Sequence, residues 1–144
     1  MADGEKHLFD LSVVTPVGPA FEGEVEMLVV PGAAGEIGVL ARHAPLIATL
    51  KAGSTRVYLD RDAETVQEYA TGPGFFKVET DRAIALVDDA VLADDIDEQR
   101  AREQLETAKR ELEKVERGES SADRWQLEQR IVHAENQLAV AGRL

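Results

Sequence analysis

Apolar residues recur with two different periods along this 144-residue chain. Up to about residue 90 they alternate with polar ones. In HLFDLSVVT, Phe9, Leu11 and Val13 share one face, and in GEVEMLVVPG, Val25, Met27 and Val29 oppose Glu24 and Glu26. Thr55, Val57 and Leu59 alternate with Arg56, Tyr58 and Asp60, and TVQEYAT, FFKVET and RAIALVD continue the series. Turn-forming groups separate the runs: Pro16 to Pro19, Pro31-Gly32, Ala52-Gly53, Asp60 to Asp62, Gly72-Pro73-Gly74 and Thr80-Asp81. Short period-two runs at roughly ten-residue spacing predict an antiparallel sandwich or barrel. No helical stretch lies between them, which argues against a parallel sheet.

Near Leu92 the period lengthens. Ala101, Leu105, Ala108, Leu112 and Val115 step by 4, 3, 4 and 3, and Leu127, Ile131, Ala134, Leu138 and Ala141 repeat the steps. Each series is a narrow seam on an otherwise polar helix. Glu98–Arg102, Glu106–Arg110 and Glu113–Arg117 are acid-before-base pairs four residues apart, a spacing that supports a helix. Arg117-Gly118 closes the first helix, and Ser120 or Ser121 is placed to cap the second. The predicted class is α+β with the two parts segregated: an N-terminal antiparallel β-sandwich over residues 1–92, then a C-terminal antiparallel two-helix hairpin over 93–144. Four of the ten seam positions are alanine, so the helices approach closely but bury little apolar area. Such a hairpin needs a second surface, and can exchange one surface for another.

Charge then narrows the functions. The net charge is −12, from 28 acids and 16 bases. Residues 1–93 hold 15 acids and 7 bases; residues 94–144 hold 13 and 9. This balance argues against nucleic acid and against adsorption to anionic lipid. With no cysteine there are no disulfides or thiolate metal sites. The opening MADGEKHLFD is too polar for a secretory signal, and no apolar run approaches a membrane span.

Four features bear on chemistry. Gly32, Gly35 and Gly38 in PGAAGEIG do not match a dinucleotide fingerprint and read as turn glycines. Asp88, Asp89, Asp94, Asp95, Asp97 and Glu98 lack the order of a calcium loop, and acids at a helix start suit its dipole. No metal is expected. His43, between Arg42 and Pro45, has no Ser, Cys or acid at a telling distance and reads as a structural or interface histidine. In IDEQRA, Asp97 and Arg100 stand three apart, as an ordinary intrahelical pair or as a nucleotide site with Arg100 on phosphate.

GEIGVL followed by His43-Ala44-Pro45-Leu46, the strands in VVTPVGPAFEGEVEMLVVPG, the later GPGFFKV and a terminal hairpin opening with I-D-x-x-R-A together resemble one family. It is the epsilon subunit of the bacterial rotary proton-translocating ATP synthase, and the likeness runs from about His7 to Ala141. The resemblance implies a non-catalytic subunit of the central stalk. By the same likeness it would sit peripherally on the cytoplasmic face of the cell membrane, attached only through its complex. The sandwich would clamp the gamma subunit, and the loop around Glu36 would face the c-ring, with Gly38, Arg42, His43 and Pro45 in the ring and gamma contact. The hairpin would be a mobile arm that inhibits ATP hydrolysis, reaching the alpha/beta catalytic head through Arg102, Lys109, Arg110 and Lys114. In some members the folded arm binds ATP, which assigns Ile96, Asp97, Arg100 and Ala101 here.

This chain departs from that pattern. Val91 stands where the nucleotide-binding version has an acid, and His133 and Gln137 where it has arginines; Arg130 lies one turn away. The expectation is therefore weak ATP binding or none, and no other cofactor. Ala41-Arg42 replaces the usual Pro-Gly, and Gly72-Pro73-Gly74 replaces Ser-Gly-Gly. The rival reading is a free-standing binding module with a dimerising arm, which clustered exposed aromatics would favour; the chain has seven.

Overall fold

The computed structural model describes residues 7–60, 62 and 65–142. The polar segment 1–6 and Arg61 of the Asp60–Asp62 turn lie outside the described residues. Ten strands precede the helices: β1 (Phe9–Thr15), β2 (Gly18–Val25), β3 (Met27–Gly32), β4 (Gly35–Leu40), β5 (His43–Leu50), β6 (Gly53–Asp60), β7 (Thr65–Thr71), β8 (Gly74–Thr80), β9 (Arg82–Val87) and β10 (Ala90–Leu92). A short 3-10 turn, Ala93–Asp95, leads into α1 (Glu98–Glu116) and α2 (Arg124–Ala141). The residues through Leu92 form one compact unit and those from Ala93 a second.

The strands lie in the orders β4-β3-β6-β7-β10 and β5-β8-β9-β1-β2, linked where Gly32 of β3 meets Leu50 of β5. Between the two layers is a core of Phe9, Leu11, Val13, Val25, Leu28, Val30, Val39, Leu50, Val57, Phe76, Val78, Ala83, Ala85 and Val87. Phe9, Leu11 and Val13 share the buried face that alternation predicts, as do Thr55 and Val57. The antiparallel expectation holds for every pairing except one: β1 runs parallel to β9. Those strands are far apart in sequence, so their pairing needs no short helical crossover.

GEVEMLVVPG is not one alternating strand. β2 ends at Val25 and β3 begins at Met27, so the phase slips at Glu26 and Leu28 and Val30 enter the core in place of Met27. Val29 is buried as well; on the outer face it stands between Gly38 and Arg56, whose guanidinium pairs with Glu36 on β4. Glu36, expected in a loop, stands in a strand of the segment GEIGVLARHAPL. That segment is strand β4, a two-residue turn at Ala41 and Arg42, and the start of β5. The period-two scan passed over β5 because Pro45 interrupts it, and the ladder register slips there, between His43 and Leu46.

In the helical unit every seam position is buried or half-buried. The first helix ends as its sequence implies: Gly118 adopts φ 75°, its N–H meets the Val115 carbonyl, and the Glu119 N–H meets that of Lys114. The second cap differs from expectation. Asp123, not Ser120 or Ser121, accepts from the backbone N–H groups of Trp125 and Gln126. Ser120 serves the turn instead, donating to Glu111 at 2.8 Å and accepting from the Ala122 N–H. Arg124 joins the helix ends through Glu116 at 3.2 Å, and within its own helix pairs with Glu128 at 3.1 Å. Of the three spaced ion pairs, Glu98–Arg102 forms at 3.2 Å; Arg117 turns to Glu119, and among the described residues no ion pair joins Glu106 to Arg110.

Candidate functional site

The five residues expected to share a contact surface do not lie together. Glu36 is at the hairpin end of β4, where Gly32 pairs with Gly35. Arg42 and His43 follow the other end of that strand, about 20 Å away at 3.3 Å per residue. Two surfaces replace the single expected one.

At the first, Glu36 projects from the outer face of β4 with Gly38 on the same face, since the alternate residues Ile37 and Val39 pack towards the core. Glu36 lies 3.2 Å from Arg56 on β6, with the carboxylate side chain 59% exposed and the guanidinium side chain 30%. Burial opposes the Arg56 charge, but the Tyr58 hydroxyl and the Glu36 carboxylate outweigh it and hold the guanidinium above its ordinary pKa. Gly38 is mid-strand and not a turn glycine, correcting the reading of its motif.

At the second, two turns are locked together. Arg42 (φ 63°) and Thr80 (φ 47°) both take left-handed backbone, and His43 pairs with Thr80 across β5 and β8. The Arg42 N–H donates to the Asp81 carboxylate at 3.0 Å, while the Asp81 carbonyl accepts from the Asp10 N–H. His43 sets Nδ1 2.6 Å from the Ala44 carbonyl. Among the described residues its ring meets a backbone carbonyl of its own turn and no acid or nucleophile. Asp81 carries the arrangement, and sequence reasoning missed it because a Thr-Asp turn looks ordinary without its neighbours.

Beside this turn runs an apolar outer face that the sequence scan also missed. Cross-strand pairing aligns Ile47, Lys77 and Ile84 in one row and Thr49, Phe75 and Leu86 in the next. Ile47 is 72% exposed, Phe75 61% and Leu86 48%. Pro45 lines a small groove with Ile47 and Lys77 at its border. The signal was present: FFKVET and RAIALVD carry large apolar residues at adjacent positions, and a pleated strand can send only one of each pair inward.

In the helical unit, Asp97 caps α1 by accepting from the Arg100 backbone N–H at 3.0 Å, so the pair is a cap and not a side-chain ion pair. Such a cap contributes about 1 kcal/mol. Ala101 is buried in the seam and Ile96 is half-buried. A groove of about 830 Å³ between α1 and α2 brings Arg100 together with Arg130 and His133, but also with Glu103 and Glu111. His133 lies 3.1 Å from the Gln137 amide. Of the candidate arm residues, Arg102 pairs with Glu98 and Lys114 with Glu111 at 3.9 Å. Lys109 and Arg110 are exposed. No group of three or more His, Cys, Asp or Glu able to hold a metal occurs among the described residues.

Comparison with known proteins gives these surfaces a setting. The family model described as the ATP synthase delta/epsilon chain β-sandwich domain matches residues 8–93. The ATP synthase epsilon chain of Halalkalibacterium halodurans is 38% identical over 92% of this chain and 96% of its own length. That of Bacillus velezensis is 33% identical over 92% and 96%. A chain in the Euglena gracilis mitochondrial ATP synthase, in an OSCP/F1/c-ring structure, superposes with a TM-score of 0.75 at 23% identity, covering 95% of this chain and 84% of that one, and so shares the fold. The chain belongs to the ATP synthase epsilon-chain family, a non-catalytic subunit of that complex. Among the described residues no helix is long and apolar enough to cross a membrane.

Proposed function

We propose that this chain occupies the central stalk of a bacterial ATP synthase, with its sandwich seated on a gamma-type subunit and its hairpin regulating hydrolysis. The observation that carries the docking claim is the uncovered apolar face of β5, β8 and β9, with Ile47, Phe75 and Leu86 projecting from it. Exposed apolar rows of this kind are what a subunit interface covers. The Arg42–Asp81 turn pair borders that face. The Glu36 end, at the far end of β4, offers a charged contact to the c-ring. On this reading the chain reaches the cytoplasmic face of the membrane through these partners; among the described residues no helix is long and apolar enough to cross it. The test is co-purification with the gamma subunit of the same complex. A one-to-one complex is expected, and a stable homodimer that ignores gamma would contradict it.

The arm is proposed as the regulatory part. Its alanine-rich seam buries little area, and exposed Lys109 and Arg110, with Arg102 and Lys114, present bases to acidic loops of the catalytic head. Rotation in the hydrolysis direction would be restrained by that contact. ATP is a weak ligand of the arm or none. Arg100 and Arg130 share their groove with two glutamates that repel phosphate, and Gln137 supplies no charge. Calorimetry on the purified chain is expected to show no tight ATP binding. A micromolar constant that disappears in Arg100→Ala would contradict this.

A further inference from the structure

β4 is an edge strand with an unused ladder. Among the described residues it pairs with β3 alone, and the two-residue turn that follows carries the chain to the other layer instead of beside it. Which groups face the open side follows from Pro31. An antiparallel pair alternates residues that exchange both N–H···O bonds with residues that exchange none. Pro31 lacks an N–H and stands opposite Glu36, so that pair is the non-bonded kind. The alternation makes Gly35, Ile37 and Val39 the residues bonded to β3. It turns the N–H and C=O of Glu36, Gly38 and Leu40 outward.

The other edges are guarded and this one is not. β2 carries Pro19, Glu22 and Glu24, β10 has three residues, and β5 carries Pro45 where its register slips. β4 reads GEIGVL, with no proline and one charge. Its central glycine is not demanded from within. A Cβ on Gly38 would meet only Met27 Cε, at 3.8 Å, and its φ is not left-handed. A bare position at the middle of an exposed strand lets another backbone come close.

We propose that β4 accepts an added strand from a partner subunit of the stalk, an inference that rests on the reading above. The occupant is an extended, proline-free segment that places a small residue beside Gly38 and a lysine or arginine beside Glu36. Glu36 has Arg56 on one side and remains largely exposed on the other, so it can take a second base. Charge disfavours a second copy of this chain. Each copy carries −12, and β4 paired with itself about Gly38 sets Glu36 against Leu40 with no base to meet it.

Residue-resolved amide exchange, on the free chain and on the chain within the assembled ATP synthase, tests this. In the free chain Ile37 and Val39 should be protected while Glu36, Gly38 and Leu40 exchange freely. In the complex those three should slow by about tenfold or more, the worth of one added hydrogen bond each. Gly38→Pro removes an outward N–H, which an edge strand tolerates, and should weaken assembly more than Gly38→Ala, which keeps the N–H and adds only a methyl group on the face of the strand. If Gly38→Pro does not fold, exchange in the unaltered chain decides. A chain that assembles normally with these amides unchanged overturns strand addition alone. A homodimer showing the same protection overturns the choice of occupant, and failure to enter the complex overturns the stalk reading as well.

Discussion

Aspartates at Ile47 and Phe75 together are expected to abolish co-purification with the gamma subunit while the sandwich stays folded. Both side chains project from the outer face of β5 and β8, so neither contributes to the core. In a docked interface they would be desolvated, and two carboxylates there would be buried with only Lys77, already paired with Glu79, beside them, at a cost of several kcal/mol. Aromatic anchors at interface centres alone commonly carry 2 kcal/mol or more, roughly 30-fold in affinity. The adjacent residue supplies the control. Phe76 is 1% exposed in the core, so Phe76→Ala should lower folding stability by about 3–5 kcal/mol, whereas Phe75→Ala should leave it within about 0.5 kcal/mol. Chemical denaturation separates these outcomes from binding. Retained gamma binding by a folded Ile47→Asp/Phe75→Asp chain would move the docking surface elsewhere.

The helical half was the more legible. A seam stepping by 4 and 3 fixes which side of each helix is covered, and all ten seam positions are buried or half-buried. Glycine at 118 marks the helix end because few other residues take φ 75° there without strain. The strands were legible where one face was polar, as in β1 and β6. They failed where both faces are apolar or covered. β3 carries Leu28, Val29 and Val30 in succession, and the phase slip at Glu26 has no local mark. β5 was hidden by its proline. The sites depended on pairings that alternation alone does not contain. The sequence neighbours Glu36 and His43 are separated because β4 stays extended between them. Asp81 approaches Arg42 only through the β5–β8 ladder. Arg100 and Arg130 share a groove because the hairpin folds back.

The second large effect concerns the arm. The buried core of the sandwich runs from Phe9 to Val87, so a chain ending at Leu92 retains all of it and should fold. It also keeps the Ile47–Phe75–Leu86 face and the open edge of β4. It loses every residue proposed to meet the catalytic head. Complexes reconstituted with the full chain and with residues 1–92, matched for occupancy by gamma-bound chain, therefore separate docking from regulation in one assay: their rates of ATP hydrolysis without a proton gradient. Equal incorporation with faster hydrolysis in the truncated complex is the predicted result. Failure of residues 1–92 to enter the complex, or hydrolysis at an unchanged rate, would contradict a platform that docks and a separate arm that restrains.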